Sequence, residues 1–501
     1  MAKIMKNKTL ILLILSSILF ISSYVIVYYF FMDMFLPIYV SCLILLFCLF
    51  NIQYLYISKH VNILSYLIFV IFALPFVHLP SYLFFDFASN PKWLYGMYVN
   101  PYMIDEKVIQ LTSMFAAISC SGMILGFIIS SKKQTKNNPS LLASPYPSYS
   151  NLPLISFIFF LVLGLFFTEI SSTSETIFEA SYGFGTTTML SESGFDSAWL
   201  LGYILLIFAF TDAWLDRSSK YGKFKRILIY STIIYVLIFL QFLRGERESF
   251  PMIVAFILTP FFCSRIFDDL KQYKLNLYLI FICGFALLSV NLLVALLRNS
   301  VEGLSFNEVL DVLHFYFTGD SCPYRKCYGL EDIFYGTWSA VLMTPISIAG
   351  DYIYDSYIYV YQGFRWGAEY IDLILSIPPG FVAKWFDFVR PFDSSMGPAY
   401  EMRFGGGGTH AIILPFRNFS IIGVFFIPIL IAFFIGKIEV WTHSKISVTR
   451  LSLVLTMIMC APHWLWYGEK ALINSIIIWF ILAWIFKLNC SLKSLLFFIS
   501  K

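Results

Sequence analysis

Two arginines lie in a short turn between hydrophobic segments, in the sequence Arg244-Gly-Glu-Arg247-Glu248. Guanidinium groups bind phosphate through paired, planar donors, so this turn could hold a phosphate-bearing ligand. A local salt-bridge cluster is the alternative, because Glu246 and Glu248 could neutralise both arginines. The turn is therefore either an anion site or a self-neutralised loop.

A run of four glycines separates an arginine from a histidine, in Arg403-Phe-Gly-Gly-Gly-Gly-Thr-His410. Consecutive glycines let a backbone approach a ligand closely and present its amide groups. No lysine follows the glycines, so the run is not a nucleotide P-loop. His410 could act as a general base or donate to a phosphate, with Arg417 nearby. The alternative for His410 is a structural residue that caps a loop.

Ionisable residues also occur close to the end of a later hydrophobic segment. His463 lies in Pro-His-Trp-Leu-Trp-Tyr, and Glu469 and Lys470 follow just beyond it. Ionisable side chains at such a depth usually face a cavity or a partner. An interfacial belt of aromatic residues with incidental polar groups explains the pattern equally well.

Acidic, basic and aromatic residues alternate through a long polar stretch between two groups of hydrophobic segments. Asp355 and Arg365 are candidate site residues there, because carbohydrate sites combine aromatic rings with carboxylates. A solvated domain surface has the same composition, so no single acid stands out. The charged residues of this stretch are Asp351, Asp355, Arg365, Glu369, Asp372, Asp387, Arg390 and Asp393.

The elements that must position these residues are hydrophobic helices. The chain is 59% hydrophobic and 13% charged, about half the charged fraction of a water-soluble domain. Its apolar runs are continuous and about 20 residues long, which is the length of a membrane-spanning helix. We predict an all-α polytopic membrane protein with about twelve spans, near 9–31, 35–57, 61–82, 107–130, 151–170, 197–215, 227–243, 250–267, 276–297, 419–436, 450–466 and 471–486.

The distribution of charge predicts how these spans cross the membrane. With both termini in the cytoplasm, the inner segments hold 21 of the 34 basic residues and 5 of the 30 acids. This asymmetry follows the positive-inside rule, and the opposite orientation would break it. The long segment 298–418 then becomes one large periplasmic loop, between spans one to nine (1–297) and spans ten to twelve with a cytoplasmic tail (419–501). Cys322 and Cys327 within that loop are either a small disulfide or two free thiols.

These features together resemble the Wzy-type O-antigen polymerases. The resemblance rests on the dozen predicted helices, the late outer loop, the Arg-Gly-x-Arg turn, and Gly-Gly-Gly-Gly-Thr-His-Ala-Ile-Ile-Leu-Pro-Phe-Arg-Asn-Phe at 405–419. It implies a membrane glycosyltransferase of the GT-C type in the bacterial inner membrane. The substrates would be oligosaccharide repeat units on undecaprenyl pyrophosphate, and a Wzz-like chain-length regulator would be a partner.

The resemblance also implies roles for the candidate residues. Arg244, Arg247, Arg403 and Arg417 would bind the substrate pyrophosphate and neutralise its developing charge. His410 would be the preferred base, with Glu248 in reserve, and His463, Arg365 and Asp355 are possible additional site residues. No nucleotide sugar, cofactor, metal or nucleic acid would be needed.

Other classes of membrane protein fit the sequence less well. A lipid-linked oligosaccharide flippase would be expected to show two related halves and charges within its spans, whereas this chain has one dominant outer segment. An O-antigen ligase shares the layout and the chemistry. A non-catalytic membrane scaffold is the remaining alternative.

We expect residues 298–418 to lie outside the cytoplasm, because the opposite orientation would place most basic residues on the outer face. Single cysteines introduced there in a cysteine-free variant should react with a membrane-impermeant maleimide in intact spheroplasts. Labelling that occurs only after lysis would contradict the predicted orientation.

Overall fold

The computed structural model describes residues 35–58, 60–61, 63–77, 106–130, 196–215, 365–375, 411–444 and 447–499, with isolated positions between 226 and 386. Within these residues the regular structure is helical, and no strand occurs. The helices are α1 (Phe35–Ile57), α2 (Ile63–Val77), α3 (Glu106–Ser130), α4 (Asp196–Leu215), α5 (Ala368–Leu375), α6 (Ile413–Ser444), α7 (Val448–Tyr467) and α8 (Glu469–Ile499).

The helices agree with the hydrophobic segments where both are described. Four have stretches long and apolar enough to cross a membrane, at Val40–Ile57, Leu111–Ser130, Ile413–Thr442 and Val448–Leu465. Shorter apolar stretches occupy Ile63–Ala73, Leu200–Leu215 and Ala471–Phe486. The all-helical membrane architecture is thus confirmed for the described residues. The predicted spans 9–31, 151–170, 250–267, 276–297 and most of 227–243 lie outside them, so the total of twelve stays a prediction.

The start of α6 differs from the predicted span at 419–436. The helix begins at Ile413 and contains a kink, where Phe419 (φ −137°, ψ 16°) and Ser420 (φ 59°, ψ −155°) leave helical geometry. Polar side chains at Arg417 and Asn418 made this first segment look like loop. These two side chains can lie on the helix because the carboxylate of Glu369 pairs with both of them, as described below.

Close packing between α3 and α6 forms the centre of the bundle. A Cβ atom added at Gly122 would lie 2.5 Å from the carbonyl oxygen of Phe425, and one at Gly126 would overlap that of Ile429. Gly436 faces Ser130 just as tightly. Small residues four apart are a common means of bringing membrane helices into contact. The two helices are therefore held at backbone-contact distance over several turns.

A buried glutamate on α6 caps the start of α2. Glu439 accepts hydrogen bonds from the backbone N–H groups of Leu64 (2.7 Å) and Ser65 (3.3 Å) and from the Ser65 hydroxyl (2.5 Å). The first N–H groups of a helix have no partner within the helix, and a carboxylate is favoured there by the helix dipole. This contact fixes α2 against the far half of α6.

Aromatic and hydroxyl contacts join α4, α7 and α8. The Trp479 indole N–H donates to the Ser452 hydroxyl at 3.0 Å, and Phe208 packs against Trp479 and Phe486. Ser447 begins α7 by accepting a hydrogen bond from the Arg450 backbone N–H at 3.2 Å. These three helices therefore form one packed unit.

The bundle has two distinguishable ends. Glu439 and the start of α2 mark one, which we call the Glu439 end. Residues 365–370, 411–420 and 464–474 mark the other, which we call the kink end. The helical rise from Ile421 to Glu439 separates them by about 27 Å.

Replacing Gly126 by leucine should destabilise the protein, because a larger side chain forces α3 away from α6. The apparent melting temperature in detergent and the abundance in membranes should both fall. Leucine at Ile129, which is half-exposed on the same helix, is the matched control and should leave both unchanged. A normal melting temperature for Gly126→Leu would contradict the close contact.

Candidate functional site

The turn before α5 is fastened to the kink in α6 through the backbone. The Arg365 N–H donates to the Arg417 carbonyl and the Trp366 N–H to the Asn418 carbonyl, both at 3.1 Å. Trp366 (φ 50°), like Ser420, has a left-handed backbone. Such conformations cost roughly 1–3 kcal/mol each and persist where the surroundings hold them. The local backbone is therefore strained on both sides of this junction.

Gly367 is suited to the junction for two reasons. Its φ of 86° is a conformation that glycine adopts readily. A Cβ atom there would also lie 3.0 Å from the ring of Phe419. The Phe419 ring itself stacks on Tyr370, with centroids 6.0 Å apart.

The side chain at the centre of this junction is Glu369. Its Oε1 contacts the Arg417 guanidinium at 2.6 Å and the Arg365 Nε at 4.0 Å. Its Oε2 accepts a hydrogen bond from the Asn418 amide at 3.0 Å, and the same amide donates to the Leu414 carbonyl at 2.9 Å. We call Arg365, Glu369, Arg417 and Asn418 the kink cluster.

Burial governs the electrostatics of the kink cluster. It raises the pKa of Glu369, and the guanidinium groups of Arg417 and Arg365 oppose that rise. The Glu369 and Arg417 side chains are only 5% and 10% exposed. Each charge therefore needs the other to offset the cost of its removal from water. Removing one partner of a buried ion pair costs about 3–5 kcal/mol, because an unpaired charge remains. Asp372, one turn later on α5, adds a second negative charge nearby.

Arg365 differs from Arg417 in its access to solvent. Its side chain is 42% exposed and lies at the outer limit of an ion pair with Glu369. A guanidinium has five N–H donors, so a partly exposed one can bind a further anion without leaving its first contact. Arg365 is therefore the more accessible cation of the kink cluster.

The residue that follows the glycine-rich run in the sequence lies at the same place. Ala411, the residue after His410 in the sequence, donates its backbone N–H to the Leu465 carbonyl at 3.2 Å. His463 lies two residues before Leu465 on α7 and is half-buried. Thus three regions that the sequence singled out separately, at Arg365, Arg417 and His463, come together at the kink end.

Glu469 begins α8 beside these groups, just before the apolar stretch Ala471–Phe486. It is 4% exposed, and neither carboxylate oxygen accepts a hydrogen bond from another described residue. Burial raises the pKa of Glu469 to about 8. Burial also raises the pKa of Tyr370 well above its usual value, and the charges of Glu469 and Glu369 raise it further.

The sequence analysis named Glu369 and Glu469 only within groups of charged residues and gave neither a role of its own. The spacing of Arg365 and Glu369, four residues apart as on one helix face, is a signal that could have indicated the pair. Nothing local indicates the contact of Glu369 with Asn418, 49 residues away. Its partners become evident only in the fold.

The other predicted site residues lie outside the described residues. These are Arg244, Arg247, Glu248, Asp355, Arg403 and His410. In the part of the chain that the structure describes, no three His, Cys, Asp or Glu side chains are grouped as metal ligands would be. The described site is thus a set of arginines, carboxyl groups and aromatic rings.

Residues 13–328 match a family model described as O-antigen polysaccharide polymerase Wzy. The matched residues make up well over half of the chain. The chain belongs to the O-antigen polysaccharide polymerase Wzy family. It is therefore an integral membrane protein of lipopolysaccharide biosynthesis, and the family implies O-antigen polymerisation by glycosyl transfer from lipid-linked oligosaccharides. No curated protein and no solved structure matches it.

Membership in the Wzy family confirms the resemblance seen in the sequence. The matched residues include the Arg244–Glu248 turn but end before the kink cluster and before the glycine-rich motif. The family assignment and the geometry of the kink end thus come from different parts of the chain.

Replacing Arg417 by alanine should lower the stability of the protein by about 3–5 kcal/mol, because Glu369 would remain buried without its closest cation. Arg365→Ala should cost less than about 1 kcal/mol, because that side chain is partly exposed and more distant. Thermal unfolding in detergent distinguishes the two. Adding Glu369→Gln to Arg417→Ala should recover part of the loss, and a purely additive result would contradict a direct pair.

Proposed function

We propose that this protein polymerises O-antigen repeat units carried on undecaprenyl pyrophosphate at the periplasmic face of the bacterial inner membrane. Both termini would lie in the cytoplasm, and a Wzz-like chain-length regulator would be a partner. Membership in the Wzy family supports the reaction class. The observation that supports the proposed site is the kink cluster. In it, two arginines that the sequence singled out both pair with Glu369 at the start of a membrane-spanning helix.

The proposed reaction moves the growing glycan from its lipid carrier to the terminal sugar of an incoming unit. A hydroxyl oxygen of the acceptor sugar attacks the anomeric carbon of the growing chain, and a glycosidic bond forms. The bond between that carbon and the pyrophosphate oxygen breaks, and the lipid pyrophosphate leaves with the electron pair. The hydroxyl proton passes to a base. The step therefore needs cations at the leaving group and a proton acceptor at the hydroxyl.

The kink cluster suits the leaving group. Arg365 is exposed enough to contact a pyrophosphate, and Arg417 is held in place by Glu369 and presents further N–H donors. Preorganised charge of this kind stabilises a transition state without rearrangement during the reaction. Arg244, Arg247 and Arg403 remain proposed as additional pyrophosphate ligands, and His410, with Glu248 in reserve, as the proposed base.

The surroundings of Arg365 suit a lipid-linked substrate. Trp366, Ile371 and Ile374 are exposed apolar residues, with 80%, 61% and 59% of their surfaces accessible. Aromatic and aliphatic residues next to a basic residue are typical of elements that lie at a membrane–water interface. A phosphate at Arg365 would then lie at the depth of lipid headgroups, with its tail in the bilayer.

Replacing Arg365 by alanine should remove long O-antigen chains while the protein accumulates normally. Losing one charge-assisted contact to the transition state costs roughly 3 kcal/mol, which is about a hundredfold in rate. Arg365→Lys should retain a thinner ladder, because lysine keeps the charge but not the planar fork. Lipopolysaccharide banding in a deletion strain complemented with each variant gives the readout.

The matched control is Lys437→Ala, which removes an exposed positive charge near the Glu439 end and should leave the ladder unchanged. A full ladder from Arg365→Ala at native abundance would contradict the proposed site. The deletion strain itself distinguishes the functions: loss of a polymerase leaves core with a single repeat unit, whereas loss of a ligase or a flippase leaves bare core.

A further inference from the structure

Buried polar atoms that lack a hydrogen-bond partner are concentrated at the kink end. Eleven such atoms occur among the described residues, and six of them belong to five residues of this end: Tyr370, Asn418, Trp464, Glu469 and Asn474. Leaving a buried polar group unsatisfied is costly, so each one needs an explanation. Tyr370 and Glu469 are close enough to interact electrostatically, so a polar ligand beside them could satisfy an unpaired hydroxyl and an unpaired carboxyl group together.

The chemistry of these atoms favours the hydroxyl groups of a sugar. The Trp464 indole N–H is a donor, the Asn418 and Asn474 oxygens are acceptors, and the Tyr370 hydroxyl is both. Sugar hydroxyls also donate and accept, so they can satisfy such a mixed set. The stacked rings of Tyr370 and Phe419 add an apolar surface next to it.

Within this set Glu469 is the group able to take a proton. It is 4% exposed and its carboxylate has no hydrogen bond to another described side chain. In contrast, the equally buried Glu439 accepts three hydrogen bonds and is fully used in capping α2. Glu469 has no comparable structural partner among the described residues.

We infer that Glu469, in place of His410 or Glu248, is the general base that takes the proton from the attacking hydroxyl of the acceptor sugar, and that Tyr370 orients this hydroxyl. The inference rests on the proposed polymerase function and deepens it. The proton moves from the sugar hydroxyl to the Glu469 carboxylate as the new glycosidic bond forms. The pyrophosphate leaves toward the arginines of the kink cluster. The acceptor sugar and the leaving group would thus bind on adjacent parts of the kink end.

The electrostatic surroundings suit this role. A carboxyl with a pKa of about 8 is a stronger base than an ordinary glutamate, while about one molecule in ten is ionised one pH unit below that value. The described titratable side chains at and beside the kink end are Arg365, Glu369, Tyr370 and Asp372 in or just before α5, Arg417 on α6 and His463 on α7. A base matched to the working pH is the general expectation for proton transfer.

The test uses the full-length protein in lipid nanodiscs with a lipid-linked repeat unit as substrate. The wild-type rate should rise about tenfold per pH unit below about pH 8 and level off above it. Glu469→Gln should polymerise about a hundredfold more slowly and lose this pH dependence. Glu469→Asp should retain part of the rate, and Tyr370→Phe should slow it while keeping the pH dependence.

Glutamine is the appropriate replacement because folding should tolerate it. A glutamate whose pKa is raised on folding contributes most stability below its unfolded value, and that contribution is lost as the pH rises through about 8. A neutral amide of the same shape has no such loss. Glu469→Gln should therefore be at least as stable as the wild type in alkaline solution.

A second measurement needs no variant. A hydrophobic carbodiimide modifies buried carboxyl groups while they are protonated, so it should label Glu469 of the wild type near neutral pH and less as the pH rises through about 8. The lipid-linked repeat unit should protect Glu469. Any labelling of Glu439 should be independent of the substrate, which makes it the internal control. Mass spectrometry locates both modifications.

The outcomes separate the two proposals. If the wild type polymerises and Glu469→Gln does so within threefold with the same pH profile, only the assignment of the base is wrong. Labelling of Glu469 that the substrate does not reduce has the same meaning. If the wild type forms no polymer, the proposed function fails and the assignment falls with it.

Discussion

A carboxyl group buried among apolar helices must be neutralised, and this requirement shapes the kink end. Glu369 is satisfied by Arg417 and Asn418 together, and both residues lie on the short first segment of α6. If that segment continued straight into the rest of the helix, these side chains would point elsewhere. The kink at Phe419–Ser420 and the left-handed backbone at Trp366 are the local cost of holding the pair.

Two buried glutamates on or against α6 serve different purposes. Glu439 is saturated by the start of α2 and fixes the packing of two helices. Glu369 instead contacts a partly exposed arginine as well as a buried one, so its environment stays open to a charged ligand. One end of the helix therefore has a purely structural role, and the other combines structure with the proposed binding surface.

The sequence predicted the parts of the fold that depend on local composition. Long apolar runs identify α1, α3 and α7 because length and hydropathy alone determine whether a segment can span a membrane. The start of α6 was placed too late, since Arg417 and Asn418 look polar until their partners are known. Those partners lie about fifty residues earlier in the chain, and no periodic pattern encodes a contact at that separation. Glu469 was noted only as a neighbour of His463, because no local pattern indicates that it lies near Tyr370 in the fold.

The described residues on the two sides of the segment 376–410 are fastened at one place. Leu373 on α5 packs with Leu414 on α6, and Ala411 is hydrogen-bonded to α7. The free energy needed to close a flexible chain between two fixed points increases only weakly with its length, by about 0.6 kcal/mol for each doubling. Changes in the length of the segment between them would therefore leave the contacts of α5, α6 and α7 in place. That length could vary in evolution while the kink cluster is inherited unchanged.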